Sequence, residues 1–320
     1  MDQLSTQAMK LWPELAAQIG IAPEDVQVAP LARRLDARVD MVALRLDRQI
    51  GPALVLKLQA KPLDPEGFSN AMQGHMYAFD AFPDGVPELL AVDFETQACV
   101  MEFAEGQPLA VVLDGATLEQ QADAMKRAGA WLGQYHRATC VETRVFQPKY
   151  TLGYLQDVIQ EVRNGTRRIV DTERFLVCAD ALCGRQHLFE GRSTKAAQTH
   201  GDLHMRNLLM GPQVKAVDFS AQRVVPVGHD IGRLLSDYAI LRAPHADIPP
   251  GEVLPIPVRD AFFDSYGLVG PEDPSVQLLI RHRVLAEWWG LPADQQDRSF
   301  AQQRRWLGIE SLTARVFPGR

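Results

Sequence analysis

The hydrophobic periodicity of this chain changes once, near Glu105-Gly106-Gln107-Pro108. Upstream of that point the apolar residues recur mainly every second position. Downstream they recur at helical spacing. A chain with this switch divides into a small sheet-rich lobe and a larger helix-rich lobe. Residues 38–46 (RVDMVALRL) alternate Val39, Met41, Ala43 and the leucines with polar residues, Gly51-Pro52 marks a turn, and residues 53–58 (ALVLKL) follow. Two such runs joined by a short Gly/Pro turn predict a hairpin. Residues 88–103 supply two more strands, ELLAVDF and ACVMEF.

Helices punctuate and then replace this pattern. Residues 5–19 predict a short amphipathic helix with Leu4, Ala8, Leu11 and Leu15 on one face. Ser69 is placed to cap a helix running to about Phe82, after a loop holding Pro62, Pro65 and Gly67. Met72, Met76 and Phe79 lie at helical spacing there and are expected in the core. Residues 117–138 place Ala124, Ala128, Trp131 or Leu132, and Tyr135 on one face, and Thr117 with Gln120 resembles a capping box. Further helix is expected over residues 151–182, 274–290 and 299–316. The domain boundary falls near residues 103–107, so the N-terminal lobe spans residues 1–103 and the C-terminal lobe residues 104–320.

Charge narrows the function classes. The formal net charge is -7, with no basic stripe, which argues against a nucleic-acid partner. Residues 1–103 hold 8 basic and 15 acidic side chains, so the remainder is neutral at 25 of each. Cys99, Cys140, Cys178 and Cys183 form no C-x-x-C pair, which suggests reduced thiols and a cytoplasmic protein. No run approaches the length of a membrane span, so no membrane partner is expected.

The chemistry concentrates in residues 199–237, THGDLHMRNLLMGPQVKAVDFSAQRVVPVGHDIGRLLSD. His200-Gly201-Asp202 is followed by Asn207. A β-like VKAVDF ends near Asp218, and Gly228-His229-Asp230 opens a helix. Mg²⁺-assisted phosphoryl transfer needs a carboxylate for the acceptor hydroxyl, oxygen ligands for the metal and a lysine for the phosphates. Mg²⁺ keeps several waters, so one Asp and one Asn side chain suffice as protein ligands. Asp202, Asn207 and Asp218 supply that set in order. The i, i+4 pair His200 and His204 has zinc-ligand spacing on a helix, but the intervening Gly201 argues for a loop.

These motifs resemble the aminoglycoside phosphotransferase/choline kinase family, small-molecule kinases with a protein-kinase-like fold. The chain has HGD and DFS where protein kinases have HRD and DFG. AGAWLGQYHRA (128–138) is similar to the helix supporting the catalytic loop, CVMEFAEG (99–106) to the hinge that meets adenine, and ALVLKL to the strand bearing the ATP lysine. The resemblance covers roughly residues 26–290. It implies an α+β, two-lobe kinase-like fold: an antiparallel-sheet nucleotide lobe with one helix, then a mainly helical catalytic and acceptor lobe. It implies Asp202 as catalytic base, with His200 and Asp230 supporting it. It also implies Lys57, Met101, Glu102 and Phe103 at the nucleotide, and Asn207 and Asp218 as metal ligands. The cofactors would be ATP and Mg²⁺, and the partner a small-molecule hydroxyl acceptor. The resemblance sets no oligomeric state.

Two departures stand out. No glycine lies between Gly20 and Gly51, so the expected phosphate-covering loop at about residues 30–37 (PLARRLDA) lacks the residue that lets backbone approach phosphate. Arg33, Arg34 and Arg38 read as solvated surface side chains there. The helix after residue 69 also carries no Glu to pair with Lys57; Glu66, Gln73 and His75 are the polar alternatives. These gaps motivate a second reading, a nucleotide-binding pseudokinase serving as an interaction module. Trp288, Trp289, Tyr266 and Trp306 read as core of the C-terminal helices before they read as a cation–π cage. The acceptor would be a sugar, an amino alcohol or an aminoglycoside-like molecule; the neutral C-terminal lobe weighs against a polycationic aminoglycoside and toward a metabolite.

Overall fold

The computed structural model describes residues 2–23, 26–220, 222–242 and 248–317. Its elements in chain order are α1 (Gln3–Gln18), β1 (Val26–Leu35), β2 (Asp40–Arg48), β3 (Leu54–Lys61), α2 (Pro65–Ala81), β4 (Leu89–Asp93), β5 (Ala98–Glu102), β6 (Gln107–Pro108) and α3 (Leu109–Val112). Then come α4 (Leu118–Thr139), β7 (Cys140–Val145), α5 (Lys149–Arg163), α6 (Thr172–Cys183), β8 (Ser193–Gln198), β9 (Leu208–Met210), β10 (Val214–Ala216) and β11 (Val224–Pro226). The last four helices are α7 (Gly228–Arg242), α8 (Ile256–Tyr266), α9 (Pro274–Trp289) and α10 (Phe300–Val316). Two compact units result. One holds residues 1–107 and 209–222, the other residues 108–208 and 223–320. Among the described residues no helix is long and apolar enough to cross a membrane.

The first unit is built on an antiparallel sheet ordered β1-β2-β3-β5-β4. Alternation decides what each face carries. Leu54, Leu56 and Leu58 of β3 join Val42, Leu44 and Leu46 of β2 under the apolar stripe Leu4, Ala8, Trp12 and Leu15 of α1. Val55 faces the other way and packs with Phe68 and Met72 of α2. Lys57, two residues on, shares that face.

Three sequence expectations need correction in this unit. Residues 30–35 are strand, paired with residues 40–44 of β2, and the turn is confined to residues 36–39, where the Asp36 carboxylate accepts from the backbone N–H of Arg38 and Val39. Arg33 and Arg34 are occupied there by Asp2, Asp40 and Asp36. The helix α2 starts four residues before Ser69, because Asp64 caps it through Gly67 N–H and Pro65 fits the first turn. Met76 is exposed; the buried stripe of α2 is Phe68, Gly74, His75 and Ala78. Gly74 rules that stripe because a Cβ there would stand 2.1 Å from the carbonyl oxygen of Ser220.

The second unit is helical, with a small sheet ordered β11-β8-β7. Its α4 carries the expected capping box, and Ala124, Ala128, Trp131, Leu132 and Tyr135 are all buried. The 151–182 segment divides into α5 and α6 around residues 164–171. Glycines spaced four apart set the closest helix pairs. A Cβ on Gly129 or Gly133 of α4 would lie 2.4 or 2.3 Å from the carbonyl oxygens of Phe262 or Tyr266 on α8. Gly228 and Gly232 of α7 approach Ser275 and Leu279 of α9 in the same manner. Trp288 and Trp306 pack with ring centres 5.5 Å apart in the core between α9 and α10.

Gly133→Ala is expected to destabilise the protein by about 1–3 kcal/mol, since α4 and α8 must move apart to admit one methyl group. Urea unfolding would read this as a lower midpoint at unchanged slope. Gly153→Ala, at a helical glycine with open space around it, is the control and should be neutral or slightly stabilising.

Candidate active site

The HGDLHMRN segment, residues 200–207, leaves β8 as an irregular loop and enters β9. Its shape is held by side chains. Asp230, 1% exposed, accepts the backbone N–H of His200 at 2.7 Å on one carboxylate oxygen and that of Gly201 at 3.0 Å on the other. Gly201 stands at φ 84°, a conformation that glycine adopts without penalty. Asp237 accepts the N–H of Met205 at 3.2 Å. The Asn207 side-chain amide donates to the Asp202 carbonyl at 3.0 Å. His200 Nδ1 accepts from Asp202 N–H at 3.4 Å and His204 Nδ1 from Arg206 N–H at 3.2 Å, so both rings brace the loop.

Asp230 has a second buried partner. His136 of α4 places Nε2 3.1 Å from Asp230 and Nδ1 2.9 Å from the Tyr266 hydroxyl on α8. A carboxylate only accepts, so Nε2 carries the proton and Nδ1 accepts from the phenol. Burial pushes the Asp230 carboxyl up, but the hydrogen bonds from His136 and from the His200 N–H outweigh it and hold the group below its ordinary value. Burial pushes the Tyr266 phenol far up, so it stays a donor.

Asp202 is half exposed and points into a cavity of about 580 Å³ within the helical unit. Arg233 of α7 grips its Oδ1, through Nε at 3.1 Å and Nη2 at 3.0 Å. The same guanidinium reaches Glu287 of α9. His204 Nε2 stands 3.7 Å from Oδ2. Asp230, Arg233 and Asp237 are spaced i, i+3, i+7 on α7, and each holds a different part of the 200–207 loop.

In the first unit, Lys57 is bonded to Asp218. Burial lowers the Lys57 ammonium, and the charge and hydrogen bond of Asp218 override it, so the net displacement is upward. Asp218 lies two residues beyond β10, outside the strand that the sequence suggested, at φ 64°. Such left-handed backbone is unusual for a residue with a side chain, and Asp is among the few that tolerate it. Of the polar alternatives for Lys57, His75 Nε2 meets the carbonyl of Pro87 at 2.7 Å, Gln73 donates to Ser69, and Glu66 sits in the first turn of α2.

The 99–106 segment runs along β5 and out of the sheet. Glu102 N–H donates to Glu88 and Phe103 N–H to Ala53, while Met101 is buried opposite Val55. The first backbone donor after these with no partner among the described residues is Ala104 N–H.

A family model described as the phosphotransferase enzyme family matches residues 30–278. The chain belongs to that family. It is a phosphotransferase, and its fold is that of kinase-like phosphotransferases. No curated protein matches it. Among solved structures, an amicoumacin kinase in complex with AMP-PNP, Ca²⁺ and amicoumacin is 16% identical, with 100% of this chain and 98% of that one covered and a TM-score of 0.56. A glucosamine kinase in complex with glucosamine, ADP and inorganic phosphate is 14% identical, covering 93% and 83%, TM-score 0.58. The macrolide 2'-phosphotransferase MphH of Brachybacterium faecium is 14% identical, covering 98% and 99%, TM-score 0.58. At these identities the likeness is one of fold.

Asp230→Ala in this phosphotransferase would leave two loop N–H groups and the His136 Nε2–H without an acceptor. A loss of about 3–5 kcal/mol is expected in urea unfolding at pH 7. Because the folded Asp230 is depressed, its contribution is complete above the ordinary carboxylate range and disappears as pH falls through the depressed value. The stability gap between wild type and variant should therefore be flat from pH 8 to about 5 and narrow only below about pH 4.

Proposed function

We propose that this phosphotransferase transfers the γ-phosphoryl group of ATP, with Mg²⁺, to a hydroxyl group of a small-molecule acceptor in the cytoplasm. The observation that carries the reading is Asp202: a half-exposed carboxylate facing a cavity, on a loop whose backbone is anchored from below by Asp230. Arg233 occupies Oδ1, which leaves Oδ2 for the acceptor hydroxyl. Asp202 accepts that hydrogen bond, orients the oxygen and takes the proton as the new P–O bond forms and ADP leaves. Positioning and charge neutralisation supply most of the rate, as phosphoryl transfer requires.

The donor set fits a hard cation. Asn207 uses its amide nitrogen on the Asp202 carbonyl, so its Oδ1 remains an oxygen donor, and Asp218 adds a carboxylate. When bound, Mg²⁺ would neutralise charge developing on the phosphates. Lys57 contacts the phosphates, presented by β3 and oriented by Asp218. His200 and Asp230 keep the catalytic loop in shape. The 101–103 segment meets adenine with Met101 at its back, and Ala104 N–H is the backbone donor available to the base. The ATP analogue and Ca²⁺ in the amicoumacin kinase complex, and the ADP in the glucosamine kinase complex, support a nucleotide and a divalent metal here.

Asp202→Ala should lower turnover by about 10²–10⁴-fold while the thermal shift produced by Mg-ATP persists. Asp218→Ala should lose turnover and also most of that Mg-dependent shift. An Asp202→Ala enzyme that releases ADP at the wild-type rate with an acceptor would remove Asp202 from its role.

A further inference from the structure

The cavity in front of Asp202 is lined by three guanidiniums, Arg223, Arg233 and Arg283, and two imidazoles, His229 and His282. Two carboxylates line it. Asp230 is consumed by the catalytic loop and His136, and Asp202 is shared with Arg233. Behind the wall, Glu287 receives Arg233, Arg283 and Arg305, the last of which also holds Asp237. Asp202, Glu287 and Asp237 between them match Arg233, Arg283 and Arg305, so the guanidinium on the cavity wall left over is that of Arg223. Arg223 forms no ion pair among the described residues, although its position is fixed: Thr199, three residues before Asp202, donates to its carbonyl at 3.0 Å. Arg283 Nε and His282 Nε2 are buried and have no hydrogen-bond partner among the described residues.

Buried donors without partners carry a cost, and clustered cations repel one another, so such an arrangement is stabilised by an incoming anion. Planar guanidiniums match carboxylate and phosphate oxygens in pairs. We propose that the acceptor of this enzyme bears an anionic group, a carboxylate or a phosphate, seated on Arg223 and Arg283 while its hydroxyl is presented to Asp202. This rests on the phosphotransfer reading above and adds the substrate class. The local field agrees: burial and the charge of Arg233 lower the Arg283 guanidinium, and burial with the charges of His229 and Arg283 holds His282 down at about 4. A cationic acceptor would meet this wall at a Coulombic disadvantage.

Two measurements on the full chain test it. In the first, melting curves are recorded with inorganic phosphate or succinate against sodium chloride of equal ionic strength, for wild type, Arg223→Gln and Arg283→Gln. A rise of a few degrees in wild type that is lost in both variants is expected, with the Mg-ATP shift intact in all three. The two anions separate a phosphate seat from a carboxylate seat. No anion-specific rise in wild type, or variants that lose the Mg-ATP shift instead, would overturn the proposal; the latter would give the arginines to the nucleotide. In the second, ADP release is followed with matched acceptors: glycerate or glycerol 3-phosphate against glycerol, gluconate against glucose, and kanamycin as the polycation. At least about a tenfold preference in kcat/KM for the anionic members is expected. An enzyme that is active but prefers glucose, glycerol or kanamycin would sink the anionic class while leaving phosphotransfer standing. A protein with neither a Mg-ATP shift nor ADP release would instead sink the phosphotransfer reading.

Discussion

The Asp230 carboxylate is the interaction on which the 200–207 loop of the helical unit depends. It is buried and ionised, which is tolerable only because both of its oxygens accept hydrogen bonds. His200 N–H, Gly201 N–H and His136 supply them. The chain 200–207 has little secondary structure of its own, so its conformation is the one that satisfies Asp230 and Asp237. Those two lie two helical turns apart on α7, and Arg233 lies between them. One face of one buried helix therefore fixes the 200–207 loop near both ends and grips the carboxylate of Asp202. The glycine contacts of α7 with α9 and of α4 with α8 serve the same end, because they hold His136, Tyr266 and Glu287 at fixed distance from that face.

In the first unit the governing constraint is the alternation of β3. Three leucines commit one face to α1, and the opposite face must then present Val55 and Lys57. Lys57 meets the DFS segment, where Asp218 accepts its ammonium and Ser220 lies against the bare Cα of Gly74. Lys57 thus has a carboxylate partner without a helix glutamate, and Gly74 allows α2 a close backbone approach to Ser220.

The two-lobe organisation, the β2–β3 hairpin, the capped α4 and the HGD-to-HDI constellation are legible in the sequence, because each follows from local periodicity or from residue types at fixed spacing. The length of β1 is not. Its residues 30–35 read as polar loop, and only pairing with β2 and the ion pairs of Arg33 and Arg34 make them strand. The start of α2 is ambiguous in sequence because Ser69 is a good cap in isolation, while Asp64-Pro65 is better in place. Spacing alone puts Met76 in the core, and the glycine-led stripe wins instead. The roles of Arg233, Asp237, His136 and Glu287 are hidden, since each acts through a tertiary contact. A signal exists for two of them: charged residues at i, i+3 and i+7 of an otherwise apolar helix seldom stand there without buried partners. The overall neutrality of the C-terminal lobe also conceals its local imbalance, as acid and base balance over the whole unit while arginines gather at one cavity.

The walls of that cavity differ in what else they do. The α7 side grips the loop, and a change there loosens it. Thr151 and Tyr154 of α5 and Leu279 of α9 also face the cavity, yet they hold none of the loop's hydrogen bonds. Under the proposed function, drift at these three positions reshapes the acceptor seat without disturbing the hydrogen bonds that hold Asp202 and its loop. Divergence in a lineage of such enzymes would accumulate on α5 and the cavity face of α9, while α7 stays nearly invariant.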